Sequence, residues 1–132
     1  MEIAFVDHLA LNVRNVDRAL AFYHEVLGLD VERLDDYRAG KVGFPSLRIN
    51  QDTIIDLMQL PALAQTENQA LNHFAFRLGD GDLATLRQRL VEHEVAIVEE
   101  AKPRWGAKGN GPSMKVHDPD GNIVELKAPS SD

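Results

Sequence analysis

Four residues of this 132-residue chain are of the types that hold a divalent ion: His8, Asp56, His73 and Glu125. Each sits in a short alternating run with apolar neighbours: Leu9 beside His8, Ile55 and Leu57 around Asp56, Phe74 after His73, Val124 and Leu126 around Glu125. Successive side chains of a strand point to opposite faces, so each ionisable group lies opposite a core-seeking face. Two neutral imidazoles and two carboxylates suit Zn, Ni, Fe(II), Mn or Co, and suit Mg less well because of the imidazoles. Four such ligands on a six-coordinate ion leave two positions open. Those positions could take a substrate through two adjacent oxygens, polarise it and stabilise an enediolate-like charge. Taken singly, each residue has an ordinary explanation, because a His or Glu on the solvated face of an antiparallel strand is common. Taken together, two histidines and two carboxylates at matching places are harder to explain that way. An enclosed, unpaired carboxylate pair is costly, and a divalent ion removes that cost.

The elements that must position them repeat. His8-Leu9-Ala10-Leu11 and His73-Phe74-Ala75-Phe76 begin 65 residues apart, at positions 8 and 73, and each is followed by a turn and an amphipathic helical pattern. In the first half, residues 3–13 read as a strand, and Asn15 or Asp17 can cap the next helix. Ala19, Phe22, Tyr23, Val26 and Leu27 form its apolar stripe, with Gly28 at its end. Leu29 to Leu34 reads as a strand, Asp35-Asp36 as a turn, Tyr37 to Asn50 as extended chain and Thr53 to Leu60 as a strand. In the second half, a strand through His73 leads to a helix with Leu83, Leu86, Leu90 and Val91, capped by Asp80 or Asp82. Strands follow at Val95 to Glu100, Met114 to His117 and Ile123 to Lys127, with a turn at Asp118-Pro119-Asp120-Gly121. The expected fold is α+β: two tandem β-α-β-β-β modules forming a curled mixed sheet around a metal-binding cup, with helices outside. The expected organisation is one domain over 1–132, with modules at 1–60 and 71–128, a linker at 61–70 that has a possible helical turn at Ala62-Leu63-Ala64, and a tail at 129–132.

Further candidates surround the four. Lys102 to Ser113 reads as a Gly-rich basic loop, with Arg104 and Lys108 as cations and Trp105 as the one tryptophan. It could close over an anionic substrate, or be a solvated surface loop. Arg77 and Lys127 share faces with His73 and Glu125 and could reach a substrate anion; Asn12 and Met58 would line the other wall. His24, His93 and His117 read as solvated or edge residues. Gly-rich phosphate loops and nucleophile-elbow patterns are missing from the sequence.

Composition narrows the class. The chain is 44% hydrophobic and 27% charged, in the globular range. A net charge of -7 argues against nucleic acid as a partner. Without cysteine, a metal must bind through nitrogen and oxygen. The N-terminus has no signal-peptide pattern and no run is long enough to span a membrane, so a cytoplasmic setting is expected.

The duplicated module resembles the vicinal oxygen chelate superfamily, which includes glyoxalase I, fosfomycin-resistance thiol transferases, extradiol dioxygenases and bleomycin-resistance proteins. The residues that carry the resemblance are Asp7-His8-Leu9-Ala10-Leu11, Phe22-Tyr23, Leu27-Gly28-Leu29, and Asp118 through Leu126. The resemblance implies one divalent ion per site. His8, His73 and Glu125 match the triad of the fosfomycin enzymes; Asp56 completes the four-ligand pattern of glyoxalase I, where a glutamate is usual. It also implies Glu125 as the proton-moving base, with Asp56 as the other candidate, and a homodimer acting on a small molecule. The leading expectation is a glyoxalase-like lyase or isomerase working on a small anionic substrate. The alternatives are a fosfomycin-type thiol transferase and a metal-free, bleomycin-resistance-type binding protein.

Overall fold

The computed structural model describes residues 1–61 and 71–130, and the chain divides into two compact units, Met1–Ala64 and Gln65–Asp132. The expected linker beyond Pro61, with its possible helical turn, and the last two residues of the tail lie outside the described residues.

The first unit runs β1 (His8–Val13), α1 (Val16–Leu20), a π-helical continuation over Ala21–Val26, β2 (Asp30–Glu32), α2 (Leu34–Arg38), β3 (Ser46–Arg48) and β4 (Ile54–Gln59). Its sheet order is β1-β4-β3-β2. β1 and β4 are parallel, which a crossover through helix and strands allows, and the other pairs are antiparallel. The second unit runs β5 (Phe74–Arg77), α3 (Leu83–Glu92), β6 (Ile97–Gly106), β7 (Gly109–His117) and β8 (Ile123–Lys127), in sheet order β5-β8-β7-β6. Here too the first and last strands are the parallel pair. The strand permutation is therefore repeated, and the architecture is the expected α+β class built of tandem modules. Each four-stranded sheet is open.

Alternation sets the core of each unit. Leu11 and Val13 of β1 are buried while Ala10 and Asn12 are exposed. Leu47, Ile55 and Leu57 from the sheet and Ala19, Phe22, Tyr23 and Val26 of the helical stretch are all buried. Burying each large apolar side chain contributes roughly 1.5–3 kcal/mol. The helix starts where Asn15 accepts from the Arg18 amide at 3.0 Å, and Gln59 of β4 takes the Val16 amide at 3.0 Å. An i→i+5 bond from the Leu27 amide to the Phe22 carbonyl, 3.0 Å, marks the π-helical part. In the second unit, Leu90, Met114, Val116, Val124 and Leu126 are buried. Asp82 caps α3 through the Thr85 amide at 2.8 Å, and that bond holds the Asp82 carboxyl below its ordinary range.

Two expectations need correction. Asp35-Asp36 is not a turn and Tyr37 to Asn50 is not extended throughout: α2 occupies Leu34–Arg38 and the regular strand is only Ser46–Arg48. Two aspartates in the first turn of α2 complement the positive end of its dipole, which favours a helix there. Lys102 to Ser113 is not a loop. It is the far half of an antiparallel hairpin, paired from Lys102↔Ser113 to Gly106↔Gly109. Gly109, at φ 89°, takes the left-handed conformation that lets a two-residue connection turn the chain. The opening strand is also shorter than 3–13, beginning at His8. Among the described residues, no helix is long and apolar enough to cross a membrane.

Candidate functional site

In the first unit, parallel pairing places Ala10 opposite Asp56, with His8 two residues before Ala10 on the same face of β1. Asp56 is also the antiparallel partner of Ser46. Both are buried, and the Ser46 hydroxyl donates to Asp56 Oδ1 at 2.7 Å. His8 is more exposed, with Nδ1 2.8 Å from Asp7 Oδ2. An ionised carboxylate only accepts, so this contact puts the ring proton on Nδ1 and, in the neutral ring, leaves Nε2 with the lone pair. The Asp7 hydrogen bond, aided by the charge of Asp56, raises the His8 pKa above the ordinary imidazole value.

The second unit repeats the register. Ala75 lies opposite Glu125 in the parallel pair, and His73 is again two residues before that alanine, immediately before β5. His73 Nδ1 lies 2.6 Å from Asn72 Oδ1, and its Nε2 lies 3.4 Å from Glu125 Oε1. The other carboxylate oxygen, Oε2, lies 3.5 Å from Lys127 Nζ, and both of these side chains are about 95% buried, with 5% and 6% relative exposure. Lys127 Nζ also donates to the Arg104 carbonyl at 3.1 Å.

The remaining candidates separate into two groups. Arg104 is held inside the hairpin by Glu99, at 2.5 Å, and by the Ser113 carbonyl, and Arg77 donates to the Ala128 carbonyl at 3.2 Å. Lys127 is held as above. Asn12, Trp105 and Lys108 are exposed, Trp105 at 77%. His117 lines a depression with Asp118, Pro119 and Gly121, where Asp118 accepts from the amides of Asp120 and Asn122 and braces the turn. Three residues went unassigned in the sequence reading: Asp7, Asn72 and Ser46. The first two carried a signal, an Asp or Asn directly before each histidine of the repeat. Ser46 carried none, because its role depends on β3–β4 register.

The donor chemistry fits a divalent ion of the kind the resemblance implies. Only imidazole nitrogen and carboxylate oxygen are offered, and both histidines have Nδ1 engaged by the preceding residue. That contact fixes tautomer and ring orientation as ligating histidines require. Among the described residues, no three His, Asp or Glu side chains gather into one cluster; His73 lies within 3.4 Å of Glu125, and His8 and Asp56 are related by strand register.

Two open sheets share one strand order, and in each a histidine at or just before the first strand and a carboxylate on the last strand lie on the parallel strand pair's register. The chain belongs to the Glyoxalase/Bleomycin resistance protein/Dioxygenase superfamily, whose family model matches residues 5–126. It is 29% identical to a virulence protein of Salmonella typhimurium, over 96% of this chain and 85% of that one. It is also 29% identical to lactoylglutathione lyase of Neisseria meningitidis serogroup A, over 90% of this chain and 86% of that one. The solved structure of an integron cassette protein from the mobile metagenome of V. cholerae superposes with a TM-score of 0.77 at 28% identity, covering 98% of both chains.

Proposed function

We propose that the chain is a metal-dependent lyase or isomerase of the glyoxalase type, acting on a small anionic substrate through vicinal oxygens. The observation that carries this reading is the repeated register: a histidine two residues before an alanine, and a carboxylate opposite that alanine, in both units. Similarity to a protein named lactoylglutathione lyase supports the reaction class. His8 and His73 would hold the ion through Nε2, with Asp56 and Glu125 as the oxygen ligands. When bound, the ion supplies Lewis acidity for a substrate carrying two adjacent oxygens. Glu125 is the proposed base, with Oε1 on the side of His73; Asp56, one methylene shorter and held by Ser46, is the second candidate. Lys108 and Trp105, exposed at the hairpin, are offered to the anionic end of the substrate. The working assembly in this reading is a homodimer.

The test is metal analysis of protein purified without chelator or affinity tag. The expected result is near one ion per chain, lost in the His8→Ala and His73→Ala single variants alike. Retention of the ion in the double variant overturns the reading. With α-hydroxycarbonyl compounds in deuterated water, the loaded protein exchanges the carbon-bound proton, and Glu125→Gln does not.

A further inference from the structure

Lys127 is the least expected group near the proposed ligands. A lysine on the last strand of a sheet ordinarily extends into solvent, yet this one is 5% exposed. Its tail passes over Gly106, where a methyl group would stand 2.8 Å from Lys127 Cε. The hairpin therefore leaves room for the lysine at this glycine and receives its ammonium on the Arg104 carbonyl, 3.1 Å away. Among the described residues, its acidic ion-pair partner is Glu125, through Oε2 at 3.5 Å. Of the other cations on the same sheet face, Arg77 donates to the Ala128 carbonyl, and Lys115 of β7 stands in register between Glu125 and Glu99.

We propose that Lys127 is a built-in counter-ion that competes with a divalent ion for Glu125 and so holds the site's metal affinity down. This rests on the reading of Glu125 as a ligand given above. The geometry divides the carboxylate: Oε1 on the side of His73 Nε2, Oε2 on the side of the ammonium. An ion taken by Glu125 would lie near the positive charge of a buried ammonium, where repulsion is less screened than at the surface. Losing the ammonium also frees a rotamer and removes one hydrogen bond, which alone would loosen the ligand. Repulsion between a divalent and a monovalent cation at such range is the larger effect. Neutral replacements of Lys127 therefore bind metal more tightly, the reverse of what simple loss of structure produces.

Calorimetric titration of metal-free protein with Mn2+, and in parallel Zn2+, tests this. Mn2+ is the weakest binder of the first-row series and keeps the dissociation constant measurable. The variants are Lys127→Met, Lys127→Gln and Lys127→Arg, with circular dichroism confirming each fold and the His8→Ala/His73→Ala double variant as the blank. Lys127→Gln keeps a donor for Glu125 and the Arg104 carbonyl should the methionine variant fail to fold. The expected outcome is at least tenfold tighter binding in the neutral variants, and binding within about threefold of the parent chain in Lys127→Arg. Parent-like or weaker binding by the neutral variants, while the parent chain binds, overturns the counter-ion role alone. Absence of binding by the parent chain and every variant overturns the ion site itself, and the counter-ion role with it.

Discussion

Asp56 and Glu125 occupy the same station in their sheets, opposite Ala10 and Ala75, but their surroundings differ in charge. Asp56 is held by the neutral hydroxyl of Ser46, Glu125 by the ammonium of Lys127. A hydroxyl donates one hydrogen bond and leaves the carboxylate's full charge in place, whereas an ammonium cancels it. The histidines differ in the same sense: Asp7 stands before His8, and neutral Asn72 before His73. Strand order and donor type are thus shared by the two units, while local charge is not. The first unit presents its pair with surplus negative charge, and the second presents it already balanced.

The largest expected effect comes from removing the balanced carboxylate. Glu125→Ala leaves Lys127 buried beside the Arg104 carbonyl without its acid, and breaking a buried pair in this way costs about 3–5 kcal/mol. Urea unfolding should show that loss; a loss as small as that of an exposed ion pair, about 1 kcal/mol or less, would mean that Lys127 reaches water when unpaired. Ser46→Ala removes the bond to Asp56 and should cost roughly 1.5–3 kcal/mol by the same measurement. If the two losses are equal, the difference in charge has no energetic consequence.

The smallest effect concerns His8. Its raised pKa means that the protonated form is favoured by folding. This contribution is fully present below the ordinary imidazole pKa of about 6.5 and is lost as pH rises through the raised value. Asp7→Asn removes the main cause, so nuclear magnetic resonance titration should find the His8 pKa moved down toward the ordinary value. Metal capture by His8 requires the neutral ring, so its onset should move to lower pH in the same variant. An unmoved titration would assign the shift to Asp56 instead.

What could be read from sequence was whatever depends on local period and local chemistry. Ala19, Phe22, Tyr23 and Val26 form a visible stripe and are buried, and Asn15 and Asp82 are visible caps that act as caps. The π-helical turn was invisible, because one extra residue in a hydrogen-bonded loop hardly disturbs a stripe of that length. The hairpin over Lys102–Ser113 was hidden by its glycines and prolines, which read as loop chemistry until cross-strand pairing is known. Of the proposed site, the histidines and carboxylates were legible because the repeat displays them twice. Ser46, the partners of Arg104 and the burial of Lys127 were not, since each depends on which strands lie side by side and in what register.

The parallel pairing of first and last strands also has a consequence for synthesis. Contact between His8 and Ile54 in the register spans 46 residues, and that between Phe74 and Val124 spans 50. β4 and β8 are interior strands, so β1 and β5 have no sheet neighbour until the end of their own unit is made. On the ribosome, β2–β3 and the β6–β7 hairpin can pair early, but the first strand of each half waits until its final strand emerges, and the long loop closure slows the step that completes the sheet. The strand that ends this wait is also the one that brings the carboxylate, so each half acquires its acid only as its sheet becomes whole.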